Sequence, residues 1–120
     1  MQMVEETDFS AGGTHKAVTK LLSLKKRPEA IISFNDYVHM DAVKAALLQK
    51  IKVNKEILFT SYSNLAITGY TSYPPIASVE QYPCEQGRMA AEILFNILNG
   101  TQNSEELYTR HQLVPRLIAH

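Results

Sequence analysis

The chain has 120 residues, of which 45% are hydrophobic and 20% charged, and its 12 basic residues balance its 12 acidic ones. This length suits one domain or part of one, and the composition excludes a disordered tail. Zero net charge argues against a self-contained nucleic-acid-binding module, which would carry a basic excess. A lone cysteine, Cys84, excludes an intramolecular disulfide. With no long apolar run and no signal-like start, we expect a soluble, cytoplasmic protein without a membrane partner.

The first half of the chain reads as helix, strand, helix and strand. A helix is predicted from Ser10 to Leu24, with Ser10 as its N-cap and Pro28 beyond its end. Residues 30–34 form a short apolar run that predicts a buried strand. A second helix is expected over residues 36–50, where Asp36 can cap the first turn and meet the helix dipole.

The second half continues the alternation. Residues 57–61 predict a second buried strand, and residues 76–79 predict another short strand after a turn-rich segment. The third helix begins at Pro83 and ends at Gly100, with a continuous apolar face. The tail, residues 107–118, alternates loosely and is predicted to be extended. Alternating strands and helices predict an α/β fold with a parallel sheet built from βαβ units.

Ligands of such sheets bind beyond the carboxyl ends of the strands, so the strand-to-helix junctions are the candidate sites. Three junctions carry polar and aromatic side chains: residues 8–10 after a short first strand, residues 35–37, and residues 62–64. Aromatic faces stack on sugars or bases, and asparagine both donates and accepts hydrogen bonds. The pattern therefore favours a neutral, polyhydroxylated small molecule.

Each of these residues also has a structural interpretation. Asp8, Ser10 and Asp36 could serve only as helix caps, Phe9 could belong to the edge of the core, and Asn35 could be a turn residue. Their occurrence at equivalent junctions is what favours the functional interpretation.

No catalytic apparatus is visible in the sequence. The four histidines and Cys84 lack metal-ligand spacing, the glycine pair at 12–13 matches no phosphate-binding motif, and no serine lies in a nucleophile elbow. We therefore predict no enzyme activity, no metal and no cofactor, and an α/β enzyme domain stays open only as an alternative.

Several stretches occur together in a characteristic order along nearly the whole chain. They are residues 8–10 (DFS), 27–36 (RPEAIISFND), 55–57 (KEI), 62–64 (YSN), 74–81 (PPIASVEQ), 85–91 (EQGRMAA) and 113–118 (LVPRLI). Together they resemble the LacI-type (lactose-repressor) family of bacterial transcriptional regulators.

The resemblance implies a periplasmic-binding-protein-like (type I) effector domain, in which two α/β lobes enclose a sugar. Residues 1–120 resemble its C-terminal part, and residues 83–120 the helix and tail that cross to the first lobe. The first lobe and the DNA-binding domain have no counterpart here. The resemblance therefore implies two partners, a sugar-like effector and operator DNA. The DNA would be bound only by the helix-turn-helix of the DNA-binding domain. A sugar receptor of a transport system shares the fold and is the alternative.

Site residues follow from the resemblance by position. Phe9 matches the aromatic residue that stacks on the effector, and Asn35 matches the asparagine that hydrogen-bonds it. Ser63 stands where many members carry an acid, and this departure removes a carboxylate acceptor. Ser63 and Asn64 are expected to add secondary polar contacts, and Asp36 is the remaining candidate of the ligand-binding set.

A homodimer is also expected. The helix that begins at Asp36 is similar to one that lines the family's dimer interface, which makes Met40 and Ala45 candidate contacts. The apolar face of the third helix, with Ile93, Leu94 and Ile97, would lose its partner without the first lobe. Because burial of each such side chain contributes about 1.5–3 kcal/mol, we expect this face to bury itself against a second copy.

Overall fold

The computed structural model describes residues 3–100 and 112–120. Its elements are α1 (Ala11–Ser23), β1 (Ala30–Ser33), α2 (Asp36–Leu48), β2 (Leu58–Ser61), a 3-10 helix (Ala66–Tyr70), β3 (Ala77–Glu80), α3 (Pro83–Leu98) and β4 (Arg116–Ala119). The predicted alternation of helices and strands is confirmed. Two compact units divide the chain, Met1–Glu80 with Leu117–His120 as one and Gln81–Arg116 as the other.

The strands form one sheet in the order β1-β2-β3-β4. β1 and β2 pair in parallel from Ala30 opposite Leu58 to Ser33 opposite Ser61, and β2 and β3 pair in parallel with Ser61 opposite Ser78. Since these strands run the same way, their carboxyl ends meet at one edge, which is where the candidate junctions lie.

The core lies on one side of this sheet. α2 packs on β1 and β2, and α1 packs on α2. Their apolar faces enclose a single cluster of buried residues: Val18, Leu22, Ile31, Ala42, Val43, Ala45, Ala46, Ile51, Val53, Ile57 and Phe59. Periodic apolar spacing in the two helices accounts for this arrangement.

Strands β1 and β2 are buried on one face only. Ile31 and Phe59 point into the core, whereas Ile32 is 78% exposed and Leu58 is 40% exposed. The prediction of fully buried strands is therefore wrong for one face, because successive side chains of a strand point to opposite sides and helices α1 and α2 cover only one of them.

A short strand before Asp8 is also predicted but is not formed. Residues 3–8 have no strand assignment, and they are held by side chains instead. Glu5 forms an ion pair with Lys20, and the Thr7 and Thr14 hydroxyls lie 3.0 Å apart. Side-chain bonds to α1 thus take the place of a backbone ladder with β1.

Helix α3 begins at Pro83 as predicted, and Gly100 follows its C-cap Asn99 with a left-handed φ of 64°. Among the described residues of α3 none is buried: Met89 and Ile93 are half-buried, and Leu94, Ile97 and Leu98 are exposed. Residues 107–111 of the predicted extended tail lie outside the described residues, and β4 forms its last portion. None of the described helices is long and apolar enough to cross a bilayer.

The core cluster predicts a large difference between two neighbouring residues of β2. Phe59→Ala should lower the free energy of unfolding by about 3–5 kcal/mol, because it empties a fully buried site. Leu58→Ala is the matched control, and it should cost far less because that side chain is 40% exposed. Urea denaturation followed by circular dichroism measures both, and equal losses would contradict the one-sided core.

Candidate functional site

The turn before α1 holds Phe9 in a strained conformation. Its φ is 63°, a left-handed value that aromatic residues rarely adopt. Asp8 fixes the turn, since its Oδ1 accepts hydrogen bonds from the Ser10 amide at 3.0 Å and the Ser10 hydroxyl at 2.6 Å. These bonds hold the pKa of the exposed Asp8 carboxyl below its usual value.

Ser10 completes the turn as the predicted N-cap. Its Oγ accepts a hydrogen bond from the Gly13 amide at 2.9 Å, and a Cβ at Gly13 would collide with the Asp8 carboxylate. Asp8 and Ser10 therefore act as turn and cap residues that together present Phe9 to solvent.

Two phenylalanines form an open aromatic pair at the edge of the sheet. The ring centroids of Phe9 and Phe34 lie 5.8 Å apart at an interplanar angle of 54°, and the two side chains are 61% and 67% exposed. Exposed aromatic rings held in contact offer an apolar surface on which a flat or sugar-like ligand can stack.

Asn35 lies beside this pair and caps α2. Its Oδ1 accepts from the Val38 amide at 2.9 Å, so the prediction that Asp36 is the capping residue is wrong. The cap uses only the carbonyl oxygen of the side chain, and the Nδ2 group brings two donors to the edge. Asn35 is therefore the N-cap of α2, and its side-chain amide is a candidate donor to a ligand.

Asp36 is fully buried beneath the edge. The Ser61 hydroxyl donates to its Oδ1, and the Leu65 amide donates to its Oδ2 at 2.6 Å. Because both oxygens accept from the protein and neither faces solvent, Asp36 does not reach a ligand at this edge. Its assignment to the ligand-binding set is corrected, and its role is to tie the loop after β2 to the start of α2.

That loop brings Ser63 and Asn64 to the same edge, and both side chains are half-buried. The Tyr62 amide donates to the Ser33 carbonyl at 2.9 Å, which continues the β1-β2 pairing up to the loop. Asn64 Nδ2 in turn donates to Glu80 Oε2 at 2.8 Å. Polar groups of the loop after β2 and of the end of β3 thus lie side by side.

A second buried polar side chain, that of His39, lies one turn after Asp36 in α2. His39 is fully buried, its ring contacts Phe59 edge-on, and its Nε2 donates to the Tyr73 carbonyl at 3.0 Å. Its Nδ1 is buried without a hydrogen-bond partner, as is Ser33 Oγ. Burial lowers the pKa of His39, against the opposing effects of Tyr73 and the Asp36 carboxylate.

The structure places Phe9, Asn35, Ser63 and Asn64 at one edge of the sheet, which agrees with the predicted placement. Two residues at this edge are not predicted from the sequence: Phe34, the ring partner of Phe9, and Glu80, which accepts from Asn64. Both are residues at the carboxyl end of a strand, so the rule that selected Asn35 and Ser63 could have found them. Within residues 3–100 and 112–120, no group of three metal-ligating side chains occurs.

The predicted dimer contacts differ in exposure. Met40 is partly exposed and lines a groove of about 310 Å³ with Val43, Leu47 and Tyr73. Ala45 is only 1% exposed and belongs to the core cluster, so it offers no surface to a partner. Its assignment to an interface is corrected, because it lies on the side of α2 that faces the core.

Comparison with known proteins shows which family the chain belongs to. The family described as periplasmic binding protein-like domains matches residues 2–118. A relative named HTH-type transcriptional repressor PurR, from Aliivibrio salmonicida, is 27% identical over 96% of this chain and 34% of its own length. Its namesake from Aliivibrio fischeri strain MJ11 is 29% identical over 97% of this chain and 37% of its own length. The chain thus spans about a third of the curated relatives it matches.

Solved structures agree on the fold. A LacI family transcriptional regulator from Bifidobacterium animalis has a TM-score of 0.80 at 22% identity, covering 93% of this chain and 40% of its own. A LacI family regulator from Enterococcus faecalis, solved with bound ribose, has a TM-score of 0.78 at 21% identity, covering 94% of this chain and 40% of its own. The chain belongs to the periplasmic binding protein-like family. The relatives are named as transcriptional repressors.

The buried histidine predicts a pH dependence of stability. The pKa of His39 in the folded chain lies below the ordinary value of 6.5, so the unfolded chain binds more protons just below that pH. The free energy of unfolding should therefore fall as the pH drops from about 6.5 toward about 5.5.

Urea midpoints across this pH range measure the effect. His39→Gln keeps an amide donor for the Tyr73 carbonyl but removes the titrating ring, so its midpoint should vary less with pH than that of the wild type. His15→Gln, on the exposed side of α1, is the control and should keep the wild-type slope. An unchanged slope in His39→Gln would show that another group causes the effect.

Proposed function

We propose that this chain senses a neutral, polyhydroxylated small molecule, such as a sugar, for a DNA-binding regulator. The observation that carries the proposal is the exposed Phe9–Phe34 pair next to Asn35, at the edge where the loop after β2 emerges. The repressor names of the relatives favour a regulator over a transport receptor. Neighbouring LacI family structures solved with ribose and with lactose support a sugar as the effector class.

Each residue has a distinct part in the proposed site. Phe9 and Phe34 stack on the C–H face of the sugar, and the Nδ2 group of Asn35 donates to its hydroxyl oxygens. Ser63 and Asn64 add polar contacts from the neighbouring strand. In the whole regulator, which would act in the cytoplasm, the DNA contact lies in another domain. The effector would control it through different affinities for the DNA-binding and the released states.

In the proposed regulator the effector lies in a cleft between two lobes. The residues described above form one wall of that cleft, and a first lobe forms the other. Residues 83–120 are then the helix and tail that cross to that lobe. We therefore expect the 120-residue chain by itself to bind a sugar weakly, in the millimolar range or above, because half of the contacts are absent.

Removal of the stacking ring tests the site. In an NMR titration of the chain with D-ribose, backbone amides at residues 9–10, 34–36 and 62–64 should shift together. Phe9→Ala should weaken this binding about tenfold or more, because it removes the stacking contact.

Phe95→Ala is the matched control, since Phe95 is another phenylalanine that is 61% exposed, and it lies on α3. It should leave the titration unchanged. Equal losses in both variants, or no response to D-ribose and lactose at tens of millimolar, would contradict the proposed site.

We propose in addition that two copies associate through apolar surfaces. The groove beside Met40 is one such surface, and the α3 face that includes Ile93, Leu94 and Ile97 is the other. Leu94 and Ile97 are 54% and 41% exposed. Full burial of such a side chain contributes about 1.5–3 kcal/mol, so burying them against a second copy would stabilise a dimer.

Light scattering at micromolar concentration should therefore report a dimer. Leu94→Asp should shift the chain toward a monomer, because it introduces a charge into the apolar face. Asn96→Asp adds the same charge on the polar side of α3, in line with Arg88 and Glu92, and should leave the dimer intact. A monomeric wild-type chain would refute the association.

A further inference from the structure

A basic groove lies beside the carboxyl end of α2, at the opposite end of that helix from Asn35. Its volume is about 300 Å³, and its described lining residues are Leu47, Lys50, Ile51, Lys52, Val53, Lys55 and Tyr73. None of these lining residues is acidic, although acidic and basic residues balance over the whole chain. This lysine groove therefore presents positive charge around an aliphatic floor.

The three lysines of the groove have capacity to bind an anion. All three are exposed, and Lys52 lies 3.9 Å from Glu56 in an exposed pair of the kind that contributes little to stability. Within residues 3–100 and 112–120, neither Lys50 nor Lys55 forms an ion pair. Three like charges around one groove repel each other, and a bound carboxylate would relieve that repulsion.

Hydrogen bonds fix the two walls of the lysine groove relative to each other. Asn54 Nδ2 donates to the Pro74 carbonyl at 3.1 Å, and Asn54 Oδ1 accepts from the Phe59 amide of β2 at 2.9 Å. The bond from His39 Nε2 to the Tyr73 carbonyl holds the opposite wall to α2. A groove with fixed walls loses little conformational entropy when a partner binds, which favours affinity.

Lys50 stands at a position whose backbone suits glycine. Its φ is 60°, its amide donates to the Leu47 carbonyl at 2.9 Å, and the Ile51 amide donates to the Ala46 carbonyl at 3.1 Å. These two bonds form the Schellman motif that ends α2, in which the left-handed residue is usually glycine. The lysine at this position adds a charged side chain to the groove where glycine would add none.

We propose that the lysine groove docks a short acidic peptide segment of a partner protein. Carboxylates of the segment pair with the three lysines, and an apolar side chain between them packs on the aliphatic floor. Charge complementarity favours an acidic partner, and the floor favours a peptide over a nucleic acid, because Tyr73 is the only aromatic ring among the lining residues. This proposal goes beyond the sensing function and does not depend on the ligand edge.

Fluorescence anisotropy with a fluorescein-labelled peptide of sequence EEFLEE tests the docking. At 50 mM NaCl the wild-type chain should bind it with a Kd of about 100 µM, because a groove of this size buries little surface. The double variant Lys50→Gly with Lys55→Gln should bind about tenfold more weakly or worse. Lys25→Gln with Lys26→Gln is the matched control, since it removes the same charge from exposed positions after α1, and it should keep the wild-type Kd.

Four results would overturn the proposal. They are no binding of EEFLEE by the wild type at 1 mM, equal weakening in the two double variants, tighter binding of a 15-nucleotide oligothymidylate than of the peptide, and a shift of the groove variant toward a monomer in light scattering. The second result would indicate attraction by overall charge, the third a nucleic-acid surface, and the fourth a contact between two copies of the chain.

Lys50→Gly by itself separates docking from folding. It should weaken peptide binding about threefold, because it removes one of three charges. Its urea midpoint should equal or exceed that of the wild type, because glycine adopts a left-handed backbone without strain. A lower midpoint with unchanged peptide binding would assign Lys50 to the fold and overturn its role in docking.

Discussion

The buried carboxylate of Asp36 is the constraint on which the candidate site depends. It lies in the first turn of α2 and accepts hydrogen bonds from the Ser61 hydroxyl and the Leu65 amide. A buried charge is tolerated only when hydrogen bonds replace its hydration, so these two partners are fixed together with it. The loop that carries Ser63 and Asn64 is thereby held next to Asn35, and one turn further on His39 holds the segment around Tyr73 in the same way.

Helix α2 connects the edge with the proposed site to the groove beside Met40. Its N-terminus carries Asn35 at the effector edge, while Met40 and Val43 line the groove beside Tyr73. Asp36 bonds to the loop after β2, and His39 bonds to the Tyr73 carbonyl, so both loops are tied to this helix.

Strain and polarity are concentrated where binding is proposed. Phe9 adopts a left-handed backbone conformation that Asp8 and Ser10 stabilise, and its ring is exposed despite its apolar character. Ser33 Oγ, at the carboxyl end of β1, is buried without a hydrogen-bond partner. A fold optimised only for stability would avoid such features, so their presence at one edge is consistent with a binding role.

Periodicity and punctuation in the sequence determined the helices, the parallel strands and the edge at which polar residues collect, because these depend on local spacing. Only the tertiary structure decided which polar groups remain available to a ligand. Asp36 and Ala45 are enclosed by their own unit, and Asn35 is the cap that Asp36 was expected to be. Phe34 and Glu80 gain their significance from partners 25 and 16 residues away, Phe9 and Asn64, across neighbouring elements. Burial and long-range pairing follow from how the elements pack, and no local pattern in the sequence encodes them.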